Sequence, residues 1–84
     1  MGNLTSQALY WKLVAKFIDS AIITQKQAQT IARKGSRKEG YYKRHVIDLC
    51  EFALWKMQDL NIQDASLETL CNQAIQLMKR RQDE

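Results

Sequence analysis

Between residues 26 and 44 this chain carries seven cationic side chains: Lys26, Arg33, Lys34, Arg37, Lys38, Lys43 and Arg44. Side chains of this type neutralise phosphates and release their counterions, a source of affinity that needs no particular base sequence. Tyr41 and Tyr42 stand among them and offer faces on which exposed bases can stack. Gly35, Ser36 and Gly40 leave backbone N–H groups open to a phosphate. The helix that begins behind them adds the positive end of its dipole. Those seven cations and the two tyrosines are the expected nucleic-acid-binding set.

A basic segment can also be a solvated loop that only keeps a protein soluble. The distribution of charge favours a binding role. Residues 24–45 hold those seven positive charges against Glu39 alone, a net of +6, whereas residues 46–84 carry a net of −3. The first 23 residues contribute +1, which gives the formal total of +4. A chain polarised in this way attracts polyanions on one side: nucleic acid, anionic membrane or an acidic protein surface.

Other chemistries find less support. Cys50 and Cys71 are far apart in sequence, with no C-x-x-C, and His45 is the only histidine. Zinc would need four ligands from this set at a usual spacing, so neither a metal nor another cofactor is expected. The two thiols are expected to be reduced, buried and inert. His45, Asp48 and Glu51 stand at successive i, i+3 positions, as an oriented general base could. A solvated helix face looks the same. With no nucleophile and no phosphate-binding loop to complete a site, a non-enzymatic protein is expected. Met1-Gly2-Asn3-Leu4-Thr5-Ser6 fits the short pattern for N-myristoylation of Gly2, which with the basic patch would anchor the chain to a membrane. No window is long and apolar enough to span a bilayer, and no export signal is evident, so a cytoplasmic location is expected.

The elements that must position these groups are helical. Proline is absent and only three glycines occur, so few breakers interrupt the apolar periodicity. Eighty-four residues suit one domain. Four helices are expected, at about 6–20, 24–34, 41–60 and 65–81, forming a small compact all-α bundle. In the first, Leu9, Tyr10, Leu13, Val14, Phe17, Ile18, Ala21 and Ile22 lay an apolar stripe, with Thr5 or Ser6 as its cap. Thr24-Gln25-Lys26-Gln27 is a capping box that opens the second. That helix offers only Ala28, Ile31 and Ala32 to a core, and Gly35 is placed to end it.

The third helix is apolar at nine of the twelve positions from Val46 to Met57. It is therefore expected at the centre of the bundle, with Phe52 in the core and Asn61 as a left-handed cap. The fourth starts near Asp64 or Ser66. Its stripe is Leu67, Leu70, Cys71, Ala74, Ile75 and Met78. The stretch from Ile23 to Val46 has the outline of a helix-turn-helix. Its Gly35–Gly40 connection, however, is longer than the three or four residues of that motif. Trp11 and Trp55 either close the edge of the core or mark a partner surface.

The function expected from these features is that of a small nucleic-acid-binding regulator or accessory protein, acting on DNA or RNA through the basic joint. The alternative is an interaction module, an adaptor or small inhibitor, that docks an acidic protein surface. A homodimer is compatible with either.

Overall fold

The computed structural model describes residues 5–33 and 39–80, with the side chains of 33 and 39–41 outside the description. Four helices account for the fold: α1 (Ser6–Asp19), α2 (Gln25–Arg33), α3 (Glu39–Asp59) and α4 (Ala65–Arg80). No strand occurs among the described residues. The all-α four-helix bundle expected from periodicity is the architecture observed.

The starts of α1, α2 and α4 are fixed by short polar side chains. The Thr5 hydroxyl accepts the Ala8 N–H at 3.0 Å, and Asp64 Oδ1 accepts the Leu67 N–H at 3.1 Å. At α2 the capping box closes in both directions. Thr24 Oγ1 accepts the Gln27 N–H at 3.1 Å, and Gln27 Oε1 accepts the Thr24 N–H at 2.8 Å. These bonds satisfy donors that a helix start otherwise leaves free.

Two helices end in the same left-handed turn. Asn61 takes φ 57°, as its residue type favours, and the Ile62 N–H donates to the Met57 carbonyl at 2.8 Å. At the end of α1 the left-handed position is Ala21, φ 61°. Here the Ile22 N–H donates to the Phe17 carbonyl at 2.9 Å. The first helix ends within a residue of the expected bound, but its apolar stripe runs past that end. Ala21 and Ile22 continue its apolar period but leave its backbone, and Ile22 folds back on Phe17 as a buried contact beyond the turn. The third helix starts earlier than expected, because Gly40 lies in its first turn and not in the joint. Gly35 lies outside the described residues.

The long α3 packs against all three other helices. Val46, Leu49, Cys50 and Ala53 are completely buried, between Tyr10 and Phe17 of α1 on one side and Cys71 and Met78 of α4 on the other. Phe52 is only half-buried. It packs at the margin of the core, on the side of α3 that meets α2, and Leu49 holds the central position instead. Among its described side chains the thin α2 buries Ala28 and Ile31, with Ala32 partly buried, and a hydrogen bond adds to this small area. The buried Tyr10 hydroxyl donates to the Ala28 carbonyl at 2.6 Å. Among the described residues, no helix is long and apolar enough to cross a membrane. Gly2 lies outside the described residues.

Candidate nucleic-acid interface

Of the nine expected site residues, the structure places four side chains. Lys26 is exposed on the first turn of α2, and Arg44 is exposed on α3, where its Nε lies 3.2 Å from Asp48 Oδ1. An exposed pair of this kind contributes at most about 1 kcal/mol, so Arg44 can leave it at small cost. Lys43 is half-buried on the neighbouring face and has an interaction of its own. The remaining cations, Lys34, Arg37 and Lys38, lie outside the described residues, as do the side chains of Arg33 and Tyr41.

Tyr42 overturns its expected role. It is 7% exposed, with its ring 5.2 Å from His45 and 5.8 Å from Tyr10, centre to centre. A ring held there offers no face to a base. Tyr42 shares the helical period of Val46, Leu49 and Ala53, and Tyr10 reaching across from α1 completes an apolar pocket around it.

His45 is also inside, 3% exposed, not on a solvated face with Asp48 and Glu51. Neither ring nitrogen has a hydrogen-bond partner. Burial lowers its pKa below the usual histidine value, against a weaker opposing pull from Asp48. The imidazole is therefore a neutral member of the aromatic cluster with Tyr10 and Tyr42. Buried there, the ring is shielded from solvent. Tyr10 moves the other way: burial, with some repulsion from Tyr42, pushes its pKa up to about 12.

The two thiols, distant in sequence, meet between α3 and α4. Both are free and completely buried, and a side-chain hydrogen bond joins them. That bond and burial together raise the Cys50 pKa far above its ordinary value. No group of three metal-ligating side chains occurs among the described residues.

The exposed side of α2 carries Gln25, Lys26, Gln29 and Thr30, which line a shallow cleft of about 560 Å³. A second cleft, about 390 Å³ and more apolar, opens between α2 and α3 over Ile31 and Phe52. Beside it Trp55 is 56% exposed, its ring tilted at 41° to Phe52 with centres 5.7 Å apart, and the Lys56 ammonium lies 5.7 Å from the Trp55 ring centre.

The class of protein that these observations define is an all-helical, four-helix domain. Comparison with protein-family models, with characterised proteins and with solved structures gives no match.

Proposed function

We propose that this chain is a small, non-enzymatic nucleic-acid-binding protein, a regulator or accessory factor that holds phosphates along the segment from Lys26 to Arg44. The observation that carries this reading is the charge pattern: a net +6 over residues 24–45, with no acidic residue between Asp19 and Glu39. Lys26 and Arg44 supply exposed cations on two different helices. The core rows of α3 give the basic segment a rigid mount. With Tyr42 withdrawn into the core, stacking passes to Tyr41 alone, and phosphate contact is the dominant chemistry.

A salt titration tests this. If about four phosphates are neutralised, log affinity for duplex DNA falls with log salt at a slope of roughly −3.6. Replacing Arg37 and Lys38 together by glutamate flattens the slope and weakens binding. Absence of any binding to duplex or single-stranded nucleic acid at low salt would overturn the reading.

The aromatic cleft favours a second reading, an interaction module for a protein partner. Phe52 and the exposed Trp55 are the kind of anchors that dominate protein interfaces. On that reading the basic segment steers an acidic partner toward the cleft. Arg37→Glu/Lys38→Glu would then chiefly slow association, and Trp55→Ala would speed dissociation.

A further inference from the structure

Helix α2 carries three glutamines, and only one of them has a structural role. Gln27 is half-buried and closes the capping box. Gln25 and Gln29, one turn apart, are exposed, and neither side chain has a hydrogen bond. Lys26 and Thr30 run beside them at the same spacing. The Thr30 hydroxyl donates to the Lys26 carbonyl at 3.0 Å, which leaves its oxygen free to accept. The opposite face, Ala28 and Ile31, is buried, and Tyr10 pins it through the Ala28 carbonyl. A short helix is thus held firmly by one face while the other presents amides, an ammonium and a hydroxyl with no carboxylate among them.

We infer that this exposed face of α2 reads base edges in the major groove of duplex DNA. The inference rests on the nucleic-acid reading above and adds sequence discrimination to it. Phosphate binding needs only cations. A primary amide is both donor and acceptor, and that pair matches the N6 amino group and N7 of adenine. Lys26 matches the acceptors of guanine, and Thr30 suits several bases. A helix with its side chains is roughly 10–12 Å across, and the major groove of B-DNA is roughly 12 Å wide. Nine residues extend about 13 Å, enough to face three or four base pairs at about 3.4 Å each. The deep, narrow major groove of A-form RNA excludes such a helix, so the target is DNA. Charge complementarity fits the same occupant, since the cations that flank this face in sequence are those proposed to hold phosphates.

The test uses the full chain and a randomised duplex DNA library. After selection, affinities are measured for the enriched duplex, a scrambled duplex of equal composition and the RNA duplex of the enriched sequence. The proteins compared are wild type, Gln25→Ala/Gln29→Ala and Arg37→Glu/Lys38→Glu. Adenine in the enriched core and a preference of about tenfold or more over the scrambled duplex are expected, from the discrimination that one bidentate contact supplies. Gln25→Ala/Gln29→Ala should erase that preference and keep the salt slope. Arg37→Glu/Lys38→Glu should flatten the slope and keep the preference. Equal affinity of wild type for all DNA duplexes, or equal affinity for the RNA duplex, would overturn base reading and leave phosphate binding standing. No binding to any duplex at low salt would overturn both. Unchanged helicity and melting of Gln25→Ala/Gln29→Ala, expected for exposed side chains, keep its result interpretable.

Discussion

Ala21 is held at φ 61°, in the region where a Cβ is crowded by the following carbonyl. Glycine there removes the strain but loosens the unfolded chain, so the two effects partly cancel. Ala21→Gly should stabilise the protein by about 0.5–1 kcal/mol, read as a higher urea midpoint at constant m. A lowered midpoint would show that the turn is not strained. His45 gives a second residue-scale outcome. Its folded pKa lies below the unfolded value of about 6.5. Between those two values the unfolded chain binds more protons, so stability is retained above pH ~6.5 and is lost as pH falls below it. The loss cannot exceed about 1.4 kcal/mol per pH unit for one proton. Denaturation midpoints across this range should fall for the wild type and stay flatter for His45→Phe, which keeps the ring and removes the titration.

Helix α2 is the least secured element. Among its described side chains it buries only Ala28 and Ile31, and it leans on its capping box and on the Tyr10 hydroxyl. Thr24→Ala should cost about 1 kcal/mol, and Tyr10→Phe about 1–2 kcal/mol through the lost buried hydrogen bond. In hydrogen exchange α2 should open well before α3, because local opening follows the sparsest packing. Uniform protection of both helices would contradict this. At the core, Leu49→Ala should cost about 2–5 kcal/mol and Phe52→Ala less than a buried Phe would, since Phe52 stays half-exposed. What was legible in the sequence follows the same division. The T-x-x-Q box and the Asn61 turn could be read because every partner lies within a few residues. The end of α1 could be placed to within a residue, but not the turn that makes it, since apolar spacing runs on through Ile22 and alanine does not announce a left-handed turn. Tyr42 shares the period of Val46 and was legible to that extent, but His45 and the Cys50–Cys71 contact were hidden for another reason. Their surroundings come from Tyr10 on α1 and from α4, and no local pattern reports what crosses from another helix. Of the candidate interface, the cations were legible as charge. The distinction between Gln27 and its two exposed neighbours was not, because it depends on which amide the cap engages.

For the molecule as a whole, the radius of gyration is 12.3 Å, so Lys26 and Arg44 lie within a few Debye lengths of the acidic residues of α3 and α4. Seven positive charges against one acid over residues 24–45 also repel one another. Salt screens that repulsion, so added sodium chloride should raise the melting temperature of the free protein while it weakens DNA binding. The two responses have opposite signs and can be measured on the same sample. Arg37→Glu/Lys38→Glu should reduce both at once. A protein whose melting temperature falls with salt would instead be held together by attraction between its two oppositely charged regions.

The placement of the aromatic rings decides how this protein can be watched. Trp11 and Trp55 are both exposed to solvent, 41% and 56%, so their emission should begin closer to the colour of an unfolded chain than that of a buried indole and shift only modestly on denaturation. Fluorescence would then understate a transition that far-ultraviolet dichroism shows in full. Tyr42, edge against face with His45, and Tyr10, tilted against both rings, are packed where three helices meet, in a chiral setting. Near-ultraviolet dichroism from those two tyrosines is the optical signal that should vanish when α1, α2 and α3 part.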